Sequence, residues 1–288
     1  MPPTLYEEVR AALRESEFRP RKRLGQNFLI HEHVIASILR LLELSPKDEI
    51  MEIGPGLGFL TRHLVERAAG VWAVEVDGFL VARLLRSQLG ENPKFHLLHG
   101  DILKIPLDEA LPRHRIKLVA NLPYSISTPV LFRLFDLRHH FSRLILMLQR
   151  EVAARVVGSP GTKAYGALSV WSQIHGRVVD RVLVSPEAFF PRPQVRSTIL
   201  KLELFPEPLV SGDELPFLRA LVRSAFGQRR KTLINALAAG FQSDRNRVET
   251  FLRAEAIDPQ RRGETLSVEE FLGVARAMKR RGFMAPVE

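Results

Sequence analysis

A glycine-rich turn after residue 53 constrains the fold more than any other feature of this sequence. The apolar run over residues 49–53 predicts a strand, and the apolar spacing of residues 59–65 predicts a helix. Between them lie Gly54, Gly56 and Gly58, which allow backbone to approach a ligand without interference from a Cβ atom. A strand, a tight glycine turn and a helix open a nucleotide-binding unit. The sequence therefore predicts an α/β fold with a ligand at this turn.

Acidic residues stand at the ends of the predicted strands. Glu52 lies just before the turn, Glu75 lies in the strand predicted at 71–76, and Asp101 follows the apolar run near 95–98. Glu75 comes about 20 residues after the first glycine, where nucleotide-binding folds place an acceptor for ribose hydroxyls. The glycine spacing departs from the dinucleotide pattern and favours a ligand without pyrophosphate. Each acid alone is more often a surface or capping residue, so the prediction depends on the ordered set.

A tetrapeptide after the apolar run 116–120 has the composition of a clamp for a flipped-out adenine. The exocyclic amine of adenine is a poor nucleophile because its lone pair is delocalised into the ring. The side-chain carbonyl of Asn121 and the backbone carbonyl of Leu122 can accept both N–H bonds, while Pro123 fixes the turn and Tyr124 offers a stacking face. The alternative is an ordinary turn with an aromatic lid.

Several segments together resemble the KsgA family of small-subunit ribosomal RNA adenine dimethyltransferases. They are residues 24–29 (LGQNFL), the glycine turn, 121–128 (NLPYSIST), 163–166 (KAYG), 189–195 (FFPRPQV) and 228–232 (QRRKT). The resemblance covers nearly the whole chain from about residue 21. A sister group that methylates large-subunit rRNA typically has G-T-G-K-G in the turn and I-P-Y in the clamp. Pro55, Leu57 and the pair Asn121 and Leu122 favour the small-subunit group.

The resemblance implies the roles of individual residues. Tyr124 and Phe189 match the two aromatic residues that sandwich the target base, and with Asn121 and Leu122 they form the predicted catalytic set. Phe189 could instead be a core anchor before a proline-rich turn. No metal is predicted. The predicted contacts to the cofactor, S-adenosylmethionine, are Gln26, Asn27, Leu29, Glu52, Gly54, Gly56, Glu75, Asp101 and Asn121.

The charge of the chain favours a polyanionic partner. Lysine and arginine number 42 against 32 aspartate and glutamate, which gives a formal net charge of +10. An rRNA backbone fits that description, although charge runs are usually solvated faces, and 228–232 could be the basic first turn of a surface helix. The predicted RNA-binding residues are Arg21, Lys22, Arg23, Arg229, Arg230 and Lys231.

The order of predicted elements indicates two domains. Strands and helices alternate in the first part of the chain, and the pattern becomes helical after Pro206 and Pro208. We therefore predict a Rossmann-like class I S-adenosylmethionine-dependent methyltransferase domain over residues 1–206 and a small all-helical RNA- and ribosome-binding domain over 207–288. Strands are predicted at 49–53, 71–76, 94–98, 116–120 and 143–148, an antiparallel pair at 177–184 and 195–204, and helices at 34–43, 167–175, 215–226, 230–239, 245–256 and 268–279.

The composition also excludes some classes of function. The absence of cysteine rules out disulfides, cysteine-ligated zinc and the thiol-adduct route of pyrimidine methylation. No apolar stretch reaches the length of a membrane span, and the acidic N-terminal segment is unlike a signal peptide. We expect a cytoplasmic protein without a membrane partner.

Together these features predict an rRNA (adenine-N6,N6)-dimethyltransferase. The resemblance implies methyl transfer from S-adenosylmethionine to N6 of two adjacent adenines in the 3′-terminal hairpin loop of small-subunit (16S) rRNA. The substrate is expected in an immature 30S-type particle, and nothing in the sequence requires more than a monomer. The alternatives are an adenine-N6 methyltransferase acting on large-subunit rRNA or DNA, and a non-catalytic RNA-binding assembly factor that keeps the fold.

Overall fold

The chain divides into two compact units. The computed structural model describes residues 3–15, 20–21, 24–207, 209–210 and 212–284. The first unit comprises Met1–Ala153 and Gly176–Pro206, and the second comprises Ala154–His175 and Glu207–Glu288. This division differs from the predicted boundary at residue 206 only in residues 154–175, which group with the helical unit. The RNA- and ribosome-binding role of the helical part remains a prediction.

A mixed sheet forms the centre of the first unit. Its strands, in chain order, are β2 (Glu49–Ile53), β3 (Gly70–Glu75), β4 (Phe95–His99), β5 (Ile116–Asn121), β6 (Phe141–Gln149), β7 (Gly176–Val184) and β9 (Ser197–Leu204). The spatial order is β4-β3-β2-β5-β6-β9-β7. The first five of these run parallel, whereas β9 pairs antiparallel with both β6 and β7. The predicted parallel sheet with an antiparallel addition is confirmed, and the parallel strands present their carboxyl ends at one edge.

Helices accompany these strands. They are α1 (Leu5–Glu15), α2 (Glu32–Leu42), α3 (Phe59–Arg67), α4 (Gly78–Arg86), α5 (Leu107–Ala110), α6 (Ser127–Asp136) and α7 (Arg150–Val156), the last of which continues into the second unit. The α2 helix buries Val34, Ile38 and Leu41 in a core cluster that also contains Ile50 and Val119 of the sheet. Their spacing of three or four residues places these side chains on one helix face.

A small two-stranded sheet holds the predicted entry segment of the cofactor site. Strands β1 (Phe28–Leu29) and β8 (Phe189–Phe190) pair antiparallel, with Leu29 opposite Phe189. The Ile30 amide extends this pairing by donating to the Ala188 carbonyl at 2.9 Å. Two segments that the sequence separates by about 160 residues are therefore fixed side by side.

The second unit is helical. Its helices are α8 (Ala167–His175), α9 (Leu215–Gly227), α10 (Leu233–Gly240), α11 (Arg245–Ala254) and α12 (Val268–Arg280). The buried Tyr165 hydroxyl donates to the Leu266 carbonyl at 2.8 Å. The Gly161 amide donates to the Glu264 carbonyl at 2.8 Å, so the loop before α8 is bonded to the helical part. None of the helices in the described ranges is long and apolar enough to cross a membrane.

The start of α10 differs from the prediction. The helix begins at Leu233 rather than Arg230, because residues 228–230 form a turn closed by the Lys231 amide, which donates to the Gln228 carbonyl at 2.9 Å. Thr232 has extended backbone and precedes the first helical residue. The interpretation of 228–232 as a helical first turn is therefore wrong.

Candidate active site

A single cavity in the first unit gathers the residues predicted for the cofactor and the base. It lies at the carboxyl ends of β2, β3 and β5, which is where ligands bind in open parallel sheets. Its empty space of about 1200 Å³ includes a part that is open to solvent. The predicted residues that line it are Gln26, Asn27, Leu29, Glu52, Gly54, Gly56, Glu75, Asp101, Asn121, Leu122, Tyr124 and Phe189.

The glycine turn leaves room for a ligand at Gly54. This residue has a φ of 72°, in the left-handed region that side chains disfavour, and a Cβ atom built on it would meet nothing within 4 Å. Its amide donates to the Val74 carbonyl at 2.9 Å, which fixes the turn against β3. Backbone can therefore contact a ligand here at close range.

Glu75 presents an oriented carboxylate to the cavity. Its Oε2 accepts a hydrogen bond from the Gly56 amide at 3.2 Å, and its Oε1 accepts one from the Asp77 amide at 2.9 Å. Burial raises the pKa of Glu75, and these backbone donors act in the opposite direction. A carboxylate has about four acceptor sites, so ribose hydroxyls can still be accepted.

Glu52 lies deeper, beneath the same turn. Only 3% of its surface is exposed, and the Thr61 hydroxyl donates to its Oε2 at 2.7 Å. Burial, which outweighs the lowering effect of the Thr61 bond and is assisted by the neighbouring charge of Glu75, raises the pKa of Glu52 to about 7. Glu52 can therefore change charge near neutral pH.

Replacing Glu52 with glutamine is expected to alter the pH dependence of stability. Between pH 4.5 and 7 the unfolded carboxyl is ionised while the folded one stays protonated, so the free energy of unfolding of the parent chain falls as pH rises. Over this pH range the free energy of unfolding falls by up to about 3 kcal/mol. Glu52→Gln keeps an acceptor for Thr61 and removes this loss. Urea unfolding at pH 5 and pH 8 measures the free energy of unfolding of both proteins. If the parent chain and Glu52→Gln differ by the same amount at both pH values, the prediction is wrong.

Asp101 offers one free carboxylate oxygen. Its Oδ1 accepts a hydrogen bond from the Leu103 amide at 2.9 Å, which caps the turn after β4. Its Oδ2 has no partner within the ranges that the structure describes. This oxygen can accept an amine, as the sequence predicts for the adenine of the cofactor.

The side chain of Asn121 is held in one orientation. Its Nδ2 donates to the Asn27 carbonyl at 3.1 Å. Because a carbonyl can only accept, the amide nitrogen must face Asn27, and Oδ1 is left as an acceptor without a partner among the described residues. The Leu122 amide donates to the Met147 carbonyl at 3.2 Å, whereas the Leu122 carbonyl has no partner in the described part of the chain. Two acceptors are thus available at the end of β5.

Two aromatic side chains line the cavity beside these acceptors. The Tyr124 hydroxyl lies 3.1 Å from Ser197 Oγ, which fixes the ring at the cavity wall. Phe189 is only 3% exposed and belongs to the core cluster of the sheet, yet it also lines the cavity. Phe189 therefore acts as a core anchor, and its stacking on a base remains a prediction.

Asp77 is a functional neighbour that sequence reasoning missed. Its side chain is buried; its Oδ1 accepts from the Phe79 amide at 3.1 Å and its Oδ2 accepts from Gln26 Nε2 at 2.9 Å. The Arg21 guanidinium lies 3.4 Å from the same carboxylate. The available signal was an aspartate before a helix, which indicates only an N-cap. Asp77 therefore joins the entry segment to the turn that carries Glu75.

Both polar atoms of the Gln26 side chain take part in this network. Besides its bond to Asp77, its Oε1 accepts from the Arg21 amide at 2.8 Å. Gln26 lines the cavity, but its polar atoms hold the entry segment in place. Its contact to the cofactor remains a prediction.

The predicted RNA-binding residues fall into distinct settings. Arg21 pairs with Asp77, and Lys22 and Arg23 lie outside the described residues. Arg229 is engaged within the second unit, where it donates to the carbonyls of Lys163 and Tyr165 at 3.2 and 3.0 Å and lies 3.4 Å from Glu264. Of the predicted RNA-binding residues, Arg230 and Lys231 have exposed side chains and make no ion pair within the described part of the chain.

Comparison with known proteins identifies relatives over almost the whole length. Residues 17–279 match the family model described as ribosomal RNA adenine dimethylase. The ribosomal RNA small subunit methyltransferase A of Geobacter metallireducens is 46% identical over 270 residues, which cover 92% of this chain and 98% of the relative. The enzyme of the same name from Clostridium botulinum (strain Langeland) is 44% identical over 256 residues, covering 88% and 92%.

Two solved structures share the fold over most of the chain. A dimethyladenosine transferase from Plasmodium falciparum has a TM-score of 0.78 at 23% identity and covers 90% of this chain and 100% of its own. The 23S rRNA methyltransferase ErmE has a TM-score of 0.67 at 26% identity and covers 88% and 100%. These structures carry the class I methyltransferase fold that the sequence predicts.

Proposed function

This chain belongs to the ribosomal RNA adenine dimethylase family, and we propose that it transfers methyl groups from S-adenosylmethionine to N6 of two adjacent adenines in the 3′-terminal hairpin loop of small-subunit rRNA. The product is N6,N6-dimethyladenine at both positions. The observation that carries the proposal is the orientation of Asn121 at the cavity: its Nδ2 is bound to Asn27, and neither its Oδ1 nor the carbonyl of the next residue, Leu122, has a partner among the described residues.

The cavity has the features that S-adenosylmethionine requires. Glu75 offers oriented oxygens for ribose hydroxyls, and Asp101 Oδ2 offers an acceptor for the adenine amine of the cofactor. The open space at Gly54 allows close approach to backbone. When bound, the cofactor supplies a methyl group on a positively charged sulfur, which is an excellent leaving group.

The residues of the chain contribute placement and hydrogen bonding. Asn121 Oδ1 and the Leu122 carbonyl accept the two N–H bonds of the target amine, so its lone pair is drawn out of conjugation and aimed along one direction. The same acceptors stabilise the positive charge that develops on N6, and the proton then leaves to water. Tyr124 and Phe189 hold the base plane between them. After one transfer, rotation about the C6–N6 bond presents the remaining hydrogen.

The names of the more similar relatives favour small-subunit rRNA over large-subunit rRNA as the substrate. The relatives at 46% and 44% identity carry a name that specifies the small subunit, whereas the 23S enzyme is 26% identical. The Asn-Leu-Pro-Tyr clamp and the Pro55 turn point the same way. We further propose that the substrate is presented in an immature 30S-type particle and that the enzyme acts as a monomer in the cytoplasm.

The basic side chains support contact with RNA. Arg230 and Lys231 are exposed on the turn before α10, where they can reach phosphates without breaking an internal contact. Phosphate contacts release counterions, so binding is expected to weaken steeply as salt concentration rises.

Mapping of the methylated nucleotide tests the proposal. The chain is incubated with S-adenosylmethionine and undermethylated small-subunit particles, purified large subunits and DNA in separate reactions. Mass spectrometry of the 3′-terminal fragment of small-subunit rRNA should then show dimethylation at two neighbouring adenines. Modification confined to large-subunit rRNA or DNA, or the absence of any modification, overturns the proposal.

Replacing Asp101 with asparagine is expected to weaken cofactor binding about tenfold or more, since a hydrogen bond to a charged group contributes about 1.5–3 kcal/mol. Asparagine keeps an oxygen for the Leu103 amide but turns an NH2 group toward the amine of the cofactor. Calorimetric titration with S-adenosylhomocysteine measures the change. Asp180→Asn on the edge strand β7 is the control, and equal affinity of the two variants removes Asp101 from the site.

A further inference from the structure

A cluster of three polar side chains lies at the amino ends of the parallel strands, whereas the cavity lies at their carboxyl ends. Asp108 belongs to α5, and His139 and His140 belong to the turn that leads into β6. The first residue of β6 pairs with the first residue of β5, so this cluster is at the amino ends of strands whose carboxyl ends carry Asn121. None of the three residues lines the cofactor cavity.

The geometry of the cluster is convergent. His139 Nε2 and His140 Nε2 each lie 2.9 Å from the same atom, Asp108 Oδ1. The three donor atoms lie within 4.8 Å of one another. His140 is 6% exposed and adjoins Phe141, whereas Asp108 and His139 are exposed, so one ligand is anchored and two can adjust.

We propose that Asp108, His139 and His140 form a binding site for a divalent transition-metal ion, for which zinc is the best match. Imidazole nitrogen and carboxylate oxygen are ligands of zinc, with bonds of about 2.0–2.2 Å. In tetrahedral geometry such bonds separate neighbouring ligand atoms by roughly 3.3–3.6 Å. The two histidine nitrogens therefore need to move only a few tenths of an ångström away from Asp108 Oδ1, from the 2.9 Å of their hydrogen bonds, to bind the ion. Water from the exposed side completes the coordination.

The protonation chemistry of the cluster is compatible with the ion. In the metal-free chain both Nε2 atoms face one carboxylate oxygen, and these bonds, with that from His140 the larger, hold the pKa of Asp108 below its usual range. Each neutral imidazole can shift its proton from Nε2 to Nδ1 and offer Nε2 to the metal. The site then replaces two N–H bonds to one oxygen with three bonds to one ion.

The ion has a structural consequence for the neighbouring chain. Arg138, the residue before the two histidines, donates to the carbonyls of Phe205 and Pro206 at 2.9 and 2.8 Å. A metal bound by His139 and His140 joins this turn to α5. The same turn holds the segment by which the chain leaves β9, so the ion is expected to raise the stability of the first unit by mass action.

Calorimetry with zinc chloride tests the proposal on the full chain without an affinity tag. We expect one zinc per chain, with an affinity that His139→Ala and Asp108→Asn each reduce at least tenfold, since loss of even an outer partner of a metal ligand costs about 10–100-fold. At the same zinc concentration, zinc should raise the unfolding temperature of the parent chain more than that of Asp108→Asn.

Two histidines elsewhere provide matched controls. His114 Nε2 lies 2.7 Å from Glu49 Oε2, and the ring of His31 lies 5.1 Å from that of His33; neither pair belongs to the three-residue cluster. His114→Ala and His31→Ala should bind zinc like the parent chain. Absence of zinc binding, retention of full affinity in both cluster variants, or loss of affinity in His31→Ala overturns the proposal.

Discussion

Replacing Asn121 with alanine is expected to lower the rate of methyl transfer by about two to three orders of magnitude, the loss typical for one preorganised hydrogen-bonding group at a centre of developing charge. The substitution removes one of two acceptors at the target amine, while the Leu122 carbonyl stays in place. RNA binding should change little, because its phosphate contacts lie elsewhere. Single-turnover methylation and fluorescence anisotropy with hairpin RNA measure the two effects separately.

Two further variants make this prediction specific. Asn121→Asp keeps an acceptor but turns a second oxygen toward the Asn27 carbonyl, so it should also lose activity. Asn92→Ala, on a surface turn before β4, should retain full activity. A normal rate in either Asn121 variant shows that the clamp does not depend on an oriented amide.

Replacing Gly54 with alanine is expected to weaken binding of S-adenosylmethionine by about ten- to a hundredfold, corresponding to a steric cost of roughly 1–3 kcal/mol. The added methyl group meets no protein atom within 4 Å, so it extends into the space proposed for the ligand. The left-handed backbone costs about 1–2 kcal/mol of stability in addition. Calorimetry gives the affinity, and urea unfolding gives the stability.

Gly161 is a close control for this variant. It has a φ of 78° and likewise has nothing within 4 Å of a built Cβ atom, but it belongs to the second unit and is absent from the cavity lining. Gly161→Ala should therefore carry a similar backbone cost with unchanged cofactor affinity. If the two variants bind the cofactor equally well, the space at Gly54 is not part of the site.

The sequence predicted those parts of the site that are short motifs directly after a strand. The glycine turn, the acidic residues at the strand ends and the clamp at 121–124 reach one cavity because parallel strands bring their carboxyl ends together. The parallel strands were recognisable because buried strands are continuous apolar runs between turn residues.

The sequence alone could not predict the hydrogen bonds that join different elements of the fold. Asp77 binds Gln26 across 51 positions, and Thr61 binds the buried Glu52 from the following helix. The placement of residues 154–175 with the helical unit depends on bonds such as that of Tyr165 to Leu266, 101 positions away. Periodicity within a window carries no information on such partners.

If the pocket binds the target base as proposed, the bond from Asn121 Nδ2 to the Asn27 carbonyl also limits which nucleobase it accepts. Because Nδ2 already donates to the Asn27 carbonyl, the amide cannot flip to put its NH2 group in the place of Oδ1; the flipped form would set two oxygens against each other. Guanine and hypoxanthine carry an oxygen at C6, which would meet only lone pairs here, whereas adenine presents hydrogens. On the proposed mechanism, base selection would therefore depend on a contact inside the protein, between the end of β5 and the segment just before β1.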